Sequence, residues 1–306
     1  DRPFVDEMIK AIQSEHHYLI CDNTAQADLL MDSMKAHDLP CMADIDSSLL
    51  YFCGEVSKTH KVVLTGECAD EIFGGYPWFH RQEFLQSDTF PWTPNLAPRL
   101  ALLRPEITGA LHLEEYVNDS YNTAVNEIDI LPTDSALEAN RRRISYLNIR
   151  YFMQTLLNRM DRTSMHSGLE ARVPFADRDL IEYVFNVPWE MKAKDGLVKN
   201  LLRQTALAYL PEKIALRKKS PYPKTYHPFY EQILSKRLTD ILSEGVSPLF
   251  ELIDKEALKT FLANPKDYGK PWYGQLMAGP QMIAYLLQVH YWLTEYHITI
   301  DIRPRA

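Results

Sequence analysis

The sequence contains few cysteines, and none of them is placed for a metal site or a redox pair. The four cysteines are Cys21, Cys41, Cys53 and Cys68, and no Cys-x-x-Cys pair or histidine at metal-ligand spacing accompanies them. Free thiols in a reducing compartment account best for this pattern, so we expect a cytoplasmic protein. A long apolar run is also lacking, which argues against a membrane-spanning helix and predicts no membrane partner.

An excess of positive charge is lacking as well. The 33 Lys and Arg residues are outnumbered by 41 Asp and Glu residues, which gives a formal net charge of -8. Nucleic-acid binders need a concentrated cationic face, so we predict no nucleic-acid partner. The run Arg141-Arg142-Arg143 is a local exception, and it fits either a solvated helix face or a patch for one anion.

Phosphate-binding loops rich in glycine are missing. No Walker-type or Gly-x-Gly-x-x-Gly pattern occurs. The segment Ala43-Asp44-Ile45-Asp46-Ser47-Ser48 ends like a Ser-Gly-Gly-x-Asp-Ser phosphate loop. A backbone that cradles phosphate needs glycines, however, and Asp44 in place of a glycine would repel the phosphate. We therefore predict that this segment is not a phosphate loop.

Apolar residues make up 46% of the sequence, enough for a sizeable core. Their periodicity in the first 76 residues predicts alternating helices and strands, which is typical of parallel α/β structure. The predicted helices lie at about 1–15, 25–36 and 49–56, and the predicted strands are residues 18–21 and 61–64. The second strand, Lys61-Val62-Val63-Leu64, has the composition of a buried parallel strand.

After Tyr76 a proline-rich, aromatic linker leads into a mainly helical portion. The fold class predicted is therefore α/β, followed by an all-α part, with a division into residues 1–76 and 77–306. The tail 298–302 alternates like an edge strand or an extended arm. Helices are predicted at 114–127, 136–162, 177–186, 198–209, 228–243, 255–262 and 275–296.

Two strands are too few for a self-sufficient parallel sheet. The first residue is Asp1 rather than methionine. We therefore expect the chain to be a piece of a longer protein, with further strands upstream. A truncated sheet with an exposed edge is prone to pair with another chain, so the sequence allows a homo-oligomer.

Residues 65–76, Thr-Gly-Glu-Cys-Ala-Asp-Glu-Ile-Phe-Gly-Gly-Tyr, place three carboxylates directly after a predicted strand. Ligands of open α/β sheets bind at this end of the strands, so Glu67, Asp70 and Glu71 are candidate site residues. Acidic residues are equally favoured in the first turn of a helix, where they interact with its dipole. From residue types alone, a helix start and a functional site are both open.

Two further stretches mix charges in ways that also leave two interpretations. Residues 158–165 and 170–177 combine arginines with acids at the end of the longest predicted helix. They fit either surface salt bridges or a pocket that positions anionic groups. Residues 217–223 form a cationic, proline-bounded loop, which is either solvated or held over a phosphate whose developing charge a lysine would neutralise.

Together these stretches resemble the synthetase portion of the glutamine-dependent asparagine synthetase family. Residues 65–76 are similar to the family's Ser-Gly-Glu-Gly-x-Asp-Glu-x-x-Gly-Gly-Tyr, and residues 170–177 (Glu-Ala-Arg-Val-Pro-Phe-Ala-Asp) are the second match. The third match comprises Lys199–Arg203, Pro211–Ile214 and Arg217–Lys219. The matches occur in the family's order.

The resemblance implies a ligase that uses ATP and Mg²⁺. In that family the β-carboxylate of aspartate attacks the α-phosphate of ATP, pyrophosphate leaves with Mg²⁺, and ammonia from a glutaminase domain attacks the β-aspartyl-AMP. It also implies a parallel sheet of the adenine nucleotide alpha hydrolase-like type. The glutaminase domain and the Ser-Gly-Gly-x-Asp-Ser loop are both absent from these residues, so we expect this chain alone to be inactive.

The resemblance also assigns roles to individual residues. Lys219 matches the lysine that stabilises charge during adenylation, and Glu67 matches the glutamate that acts on the incoming ammonia. Asp70 matches the acid that holds Mg²⁺-pyrophosphate, a suitable task for a carboxylate oxygen. Thr65 and Gly66 match the strand-end residues beside the nucleotide.

Three residues are weaker matches: Asp161 and Arg162 as pocket residues that contact the nucleotide, and Arg172 as a pocket or structural residue. The sequence departs from the family at two positions of the first motif. Thr65 replaces serine and keeps the hydroxyl, whereas Cys68 adds a side chain where the family has glycine.

Two alternative functions remain open at this point. A related acyl-adenylating enzyme would form an amide or lactam from another carboxylate. A non-catalytic interaction module would have no need to keep Glu67, Asp70 and Lys219 together, and their presence counts against it.

Overall fold

The computed structural model describes residues 2–219, 227–265, 273–274 and 277–302. The architecture in these ranges is mixed α/β and mostly helical, with a small parallel sheet of two strands. The prediction of an α/β fold with a mainly helical content is confirmed at this level.

The sheet pairs strand β1 (Val62–Leu64) with strand β2 (Glu170–Arg172) in parallel. Val63 lies opposite Ala171, and the pairing continues one residue further because the Thr65 amide donates to the carbonyl oxygen of Arg172 at 2.9 Å. The carboxyl end of β1 therefore leads directly into the carboxylate-rich segment that follows it.

The described chain forms helices α1 to α11 before β2, and some of them are separated by a single residue. The longest run joins α10 to α11 through a π-helical segment, Asn148–Met153. The helices are α1 (Arg2–Ile12), α2 (Asn23–Asp28), α3 (Leu30–His37), α4 (Asp44–Ser57), α5 (Ala69–Phe73), α6 (Gln82–Leu85), α7 (Ala97–Leu100), α8 (Pro105–Leu111), α9 (Leu113–Asn126), α10 (Ala136–Leu147) and α11 (Gln154–His166).

The helices after β2 complete the fold. They are α12 (Arg178–Asn186), α13 (Trp189–Lys192), α14 (Asn200–Ala206), α15 (Glu212–Ala215), α16 (Pro228–Glu244), α17 (Leu249–Leu252), α18 (Lys255–Ala263) and α19 (Gly279–Glu295). Short 3-10 turns occur at Pro77–Phe79 and Pro174–Ala176.

The largest apolar cluster packs α16 and α19 against α2 and α3. Its most deeply buried members include Leu30, Tyr230, Leu234, Leu238, Ile283 and Leu287. Gln288 is a buried polar residue in this region, and its amide donates to the carbonyl oxygen of Leu30 at 3.1 Å and to the hydroxyl of Ser33 at 2.9 Å. These bonds offset its desolvation and fix α19 against α3.

Two smaller clusters position the segment after β1. Leu49 and Cys53 of α4 pack with Met160 of α11 beneath the sheet. An aromatic cluster on the opposite side holds Tyr76, whose ring stacks on Trp78 with centroids 4.3 Å apart. The ends of residues 65–76 are thus held by packing on both sides.

Most predicted helices are confirmed, with boundaries shifted by a few residues. The helix expected at 25–36 is divided into α2 and α3. The helix expected at 136–162 continues to His166 through the π-helical segment. The proline-rich linker contains short helices, including α7 and α8, each with proline at its first or second position, where a missing N–H is tolerated.

Three strand predictions need correction. Residues 18–21 form no strand and are largely exposed, since no described strand lies beside them for pairing. Val62 and Leu64 of β1 are 41% and 74% exposed, so β1 is parallel as predicted but not buried. Residues 298–302 are not paired into a strand, which contradicts the edge-strand alternative and leaves that of an extended arm.

Strand β2 was not predicted. Glu170-Ala171-Arg172 has low strand propensity, and its pairing with β1 comes from tertiary packing rather than local preference. The predicted domain division at residue 76 stays a prediction, although β1 and β2 lie on opposite sides of it. Within the described ranges, every helix is too short or too polar to cross a lipid bilayer.

Candidate active site

A cavity of about 420 Å³ lies at the carboxyl end of β1. One wall is apolar and includes Met42, Ile45, Leu49, Phe152, Leu156 and Met160. The other wall is polar and comes from the segment after β1 together with Arg159 and Lys219. Of the residues predicted for the site, Thr65, Gly66, Glu67, Asp70 and Lys219 all line this cavity.

The chain turns sharply between β1 and α5. The Thr65 hydroxyl accepts a hydrogen bond from the Glu67 amide at 3.1 Å, which closes the turn. Cys68 then begins α5 with a φ of 69°, and Gly74 ends the helix with a φ of 72°. Both angles lie in the left-handed region, so a glycine at position 68 would adopt this backbone without strain.

Cys68 adopts this conformation despite having a side chain. The side chain is 1% exposed and packs with Ile72 and Phe73 in an apolar cluster. Burial raises the pKa of its thiol to about 12, with neighbouring Glu71 and Glu67 adding to the effect. Cys68 is therefore a packed, protonated thiol at neutral pH rather than a reactive one.

Asp70 is held between two lysines. Its carboxylate lies 2.8 Å from the Lys199 ammonium and 3.1 Å from the Lys219 ammonium. Burial alone would raise the pKa of Asp70, but the two positive charges outweigh it, and the pKa is lowered. Asp70 is thus an ionised carboxylate, a form that can bind a hard cation.

Lys219 is fixed by three contacts. Besides Asp70, its ammonium donates to the Gly75 carbonyl oxygen at 3.1 Å and lies 3.8 Å from the centre of the Tyr76 ring. Burial lowers the pKa of Lys219 and the charge of Asp70 acts in the opposite direction. The lysine that the sequence placed over a phosphate is therefore a positioned cation in the cavity wall. Residues 220–223 of the same predicted loop lie outside the described residues.

Gly75 allows Asp70 to occupy its position. A Cβ atom on Gly75 would lie 1.8 Å from Oδ1 of Asp70 and 2.5 Å from its Cγ. Such distances are impossible, so any side chain at position 75 would displace the Asp70 carboxylate from the two lysines. Gly54, in the interior of α4, has no atom within 4 Å of the corresponding position and provides a contrast.

We expect Gly75→Ala to impair catalysis because it moves Asp70, while the fold survives. Displacement of a positioned group by about 1 Å can reduce the rate ~100-fold. Turnover by the protein expressed from the complete reading frame measures the effect. Gly54→Ala is the control and should raise the free energy of unfolding by up to ~1 kcal/mol with unchanged activity. Wild-type activity in Gly75→Ala would contradict the positioning role.

Glu67 forms an ion pair with a buried arginine. Nη2 of Arg159 donates to Oε1 of Glu67, and Nε of Arg159 lies 3.8 Å from Oδ1 of Asp46. Arg159 is 9% exposed and Asp46 is fully buried. The second oxygen of Glu67, Oε2, is buried and makes no hydrogen bond to the residues that the structure describes. Arg159 thus links the segment after β1 to the first turn of α4.

Glu71 faces the protein interior. Its carboxylate accepts a hydrogen bond from the Tyr76 hydroxyl, and the residue is 2% exposed. Burial raises the pKa of Glu71 to about 7; the Tyr76 hydrogen bond lowers it and the charge of Asp70 raises it. Glu71 thus lies in the first turn of α5, as the helix-start interpretation expected, and also lines the cavity as a buried side chain in contact with Tyr76.

This pKa predicts a pH-dependent stability. The folded protein keeps the Glu71 proton up to about pH 7, whereas the unfolded chain releases it near 4.5. The free energy of unfolding therefore falls as pH rises between those values, by about 1.4 kcal/mol per unit. Glu71→Gln removes this contribution. In urea unfolding between pH 5 and 7, the free energy of unfolding of the variant should therefore rise relative to that of the wild type as the pH increases. The exposed control Glu182→Gln should show no such relative rise. If the free energies of unfolding of Glu71→Gln and the wild type changed in parallel with pH, the assignment of this contribution to Glu71 would be refuted.

The remaining predicted site residues lie outside this cavity. Asp161 is exposed on α11. Arg162 donates to the carbonyl oxygen of His37 at 2.9 Å and lines a neighbouring cavity. Arg172 is exposed in β2 and pairs with Glu170 at 2.8 Å. These three residues do not join Asp70 and Lys219 at the cavity.

A group of potential metal ligands lies near the same neighbouring cavity. Side-chain atoms of His37, Cys41 and Asp46 lie within 4.8 Å of one another. Arg159 already approaches Asp46, and burial raises the pKa of the Cys41 thiol well above its usual value. Nε2 of His37 already contacts Oγ1 of Thr163 at 3.0 Å, and a protonated thiol is a poor metal ligand, so these residues are better suited to hydrogen bonding than to metal binding.

Sequence reasoning assigned no role to Lys199, Arg159 or Asp46. Lys199 lies in the third matched stretch, but its φ of 59° and its contact with Asp70 depend on the folded backbone. Asp46 was considered only as part of a rejected phosphate loop; residues 44–48 instead form the first turns of α4. No local pattern distinguishes Arg159 from the other arginines of α11.

The profile of the asparagine synthase family matches residues 1–294. The chain belongs to this family. It is 45% identical over 304 residues to asparagine synthetase [glutamine-hydrolyzing] 3 of Bacillus subtilis, covering 99% of this chain and 49% of that protein. It is 28% identical over 236 residues to asparagine synthetase [glutamine-hydrolyzing] 1 of the same organism, covering 67% of this chain and 37% of the relative. The rat asparagine synthetase [glutamine-hydrolyzing] is 27% identical over 218 residues, 69% of this chain and 29% of the relative. The chain thus spans about half, or less, of the length of these relatives.

Proposed function

We propose that this chain provides the acyl-adenylating part of a cytoplasmic, glutamine-hydrolysing asparagine synthetase. The observation that carries the proposal is Asp70, held ionised between Lys199 and Lys219 at the edge of a cavity that Glu67 also lines. In the proposed reaction, the aspartate β-carboxylate attacks the α-phosphorus of ATP and pyrophosphate leaves. Ammonia then attacks the β-aspartyl-AMP, which yields asparagine and AMP.

The cavity has separate surfaces for the base and for the reacting groups. Its apolar wall is suited to a purine ring, and its polar wall places cations where negative charge develops. We assign Lys219 the stabilisation of charge at the α-phosphorus. We propose that Thr65 and Gly66 flank the nucleotide. A methyl group on Gly66 would meet open space, so the backbone of Gly66 is accessible to a ligand.

Magnesium fits the chemistry of Asp70. A carboxylate oxygen is the ligand that this cation prefers, and the lowered pKa keeps Asp70 ionised. We propose that Asp70 holds Mg²⁺ bound to pyrophosphate, where the metal neutralises phosphate charge. Lys199 and Lys219, which now contact Asp70, supply the remaining positive charge.

Glu67 is assigned to the ammonia step. Its Oε1 is bound by Arg159, whereas Oε2 is buried without a hydrogen-bond partner among the described residues. An unpartnered carboxylate oxygen beside the cavity can accept a proton or hydrogen bond from an incoming ammonia molecule. Neither Asp161 nor Arg162 lines the cavity. We therefore propose that these two residues contact the substrate only after a rearrangement of the structure.

The finer structural proposals follow the family. We propose that the two-stranded sheet is part of a larger sheet of the adenine nucleotide alpha hydrolase-like type. The exposed Val62 and Leu64 of β1 support this, because exposed apolar strand residues favour covering by further structure. Such an exposed strand also favours assembly with a second copy of the chain. As the alternative, we propose a homo-oligomer in which the second copy covers β1.

The experiment is a comparison of carboxylic acids. The protein expressed from the complete reading frame that contains these residues is incubated with Mg-ATP and one acid at a time, and pyrophosphate release is measured. We expect aspartate to give the fastest release, and glutamine to be required as nitrogen donor for asparagine formation. Release with another acid and none with aspartate would favour a related amide- or lactam-forming enzyme. No release with any acid would favour a non-catalytic module.

A further inference from the structure

A second cavity lies on the other side of Gly75 and Tyr76. Its volume is about 900 Å³, and it shares Tyr76 and Lys219 with the candidate active site. The two cavities are therefore neighbours across the Lys219 side chain. The lining of the second cavity comes mainly from residues 75–81, 193–198 and 216–219, and α10 and α13 contribute Arg141 and Trp189.

The second cavity is cationic. None of the described residues that line it is Asp or Glu. Its cationic side chains are Arg81, Arg141, Arg203, Lys218 and Lys219. Such an arrangement in a protein of net charge -8 concentrates positive potential in a single concave surface.

Some of these charges already have partners. Arg203 donates to the carbonyl oxygens of Val198 and Ala215 at 2.7 and 2.6 Å, and Arg81 lies 3.7 Å from Glu83 in an exposed pair. Within the described part of the chain, however, no carboxylate lies within 4 Å of the charged groups of Arg141 and Lys218. These two residues therefore carry the unneutralised charge of the cavity.

Arg141 is held in place by a ring contact, but one of its hydrogen-bond donors is unused. Its guanidinium carbon lies 5.0 Å from the centre of the Trp189 ring, and its Nε is buried without a hydrogen-bond partner in the described ranges. Glu138, one turn earlier on α10, is engaged in the capping box with Ser135. A stacked guanidinium with a free N–H is arranged to receive an anion, since guanidinium groups bind phosphate oxygens through paired donors.

We propose that this cavity binds a polyphosphate chain, with Arg141 and Lys218 as its anchors and Lys219 shared with the active site. The assignment of free pyrophosphate as the ligand rests on the proposed function. Pyrophosphate released beside Lys219 would reach Arg141 and Lys218 by passing that one side chain. The cavity then acts as the exit site for the leaving group. The sequence left two interpretations open for the run Arg141-Arg142-Arg143. The proposal favours the patch for one anion, and only Arg141 of the run takes part in it.

The test is calorimetric titration of the protein expressed from the complete reading frame with inorganic pyrophosphate, in the absence of divalent metal. We expect Arg141→Gln and Lys218→Gln each to weaken binding by about tenfold, the loss typical of one charged hydrogen bond. Arg178→Gln changes the net charge equally at a side chain that is 90% exposed, and should bind as the wild type does. Lys218→Gln keeps the test decisive if Arg141→Gln unfolds through loss of its Trp189 contact.

A titration with metal-free ATP distinguishes the two sources of a polyphosphate chain. If the site takes free pyrophosphate, the variants bind ATP like the wild type; if it takes the nucleotide tail, ATP binding weakens about tenfold as well. Absence of pyrophosphate binding, or equal binding in all three variants, would overturn the proposal. Because no turnover is measured, a failure here is separable from a failure of asparagine synthesis.

Discussion

Replacing Lys219 by alanine is expected to abolish asparagine synthesis while leaving the fold intact. The ammonium of Lys219 is fixed by the Asp70 carboxylate, the Gly75 carbonyl oxygen and the Tyr76 ring. A cation held in this way stabilises developing charge without reorganising. Removal of one such group typically lowers the rate ~100- to ~1000-fold. The measurement is asparagine and AMP formation by the protein from the complete reading frame.

A matched substitution separates the site effect from a general loss of charge. Lys236 forms an exposed pair with Asp240 on α16, away from the cavity. Lys236→Ala should therefore retain wild-type synthesis. If Lys219→Ala were as active as Lys236→Ala, Lys219 would have no role in the adenylation step.

The second large effect is expected from Arg159→Leu, and it concerns stability. Arg159 is buried and lies between the carboxylates of Glu67 and Asp46. Its removal leaves the fully buried Asp46 carboxylate and the Glu67 carboxylate, whose side chain is 18% exposed, without their shared cation. Breaking a buried pair in this way destabilises a protein by ~3–5 kcal/mol. We expect a loss of this size in the free energy of unfolding by urea.

Arg162→Leu, on the same helix, is the control for this experiment. Arg162 lies 3.5 Å from Asp38 in a pair whose side chains are 48% and 72% exposed. Exposed pairs contribute at most ~1 kcal/mol. Equal destabilisation by the two substitutions would show that Arg159 acts only through helix packing. A double variant, Arg159→Leu with Glu67→Gln, should recover part of the loss because one buried charge is also removed.

The sequence allowed the site to be predicted where local chemistry determines it. The short apolar strand and the carboxylates after it are adjacent in the chain, so the position of Glu67 and Asp70 at the strand end followed from strand direction alone. Lys219, which is 149 positions beyond Asp70 by their numbering, was found only through resemblance to a family. No periodicity relates these two residues.

Other features depend on tertiary structure and had no local signal. Strand β2 pairs with β1 although Glu, Ala and Arg are poor strand formers, and the predicted strand at 18–21 remains unpaired despite favourable residues. Ion pairs such as Lys199 with Asp70 join residues far apart in sequence. Pairing and burial, rather than propensity, decided these cases.

The departure at Cys68 illustrates the same limit at a single residue. The sequence shows only that a side chain stands where the family has glycine. The structure shows why glycine suits the position, through a φ of 69°, and how the thiol is accommodated among Ile72 and Phe73. The added side chain packs into this apolar cluster, and Cys68 also lines the candidate active-site cavity.

An isotope-transfer measurement tests the central claim most directly. The protein from the complete reading frame is given aspartate labelled with ¹⁸O in the β-carboxylate, together with Mg-ATP and glutamine. If that carboxylate attacks the α-phosphorus, one labelled oxygen leaves with the phosphate of AMP and the other stays in asparagine. We predict ¹⁸O in AMP, and none in pyrophosphate. Asparagine formed with unlabelled AMP would contradict an acyl-adenylate intermediate at this site.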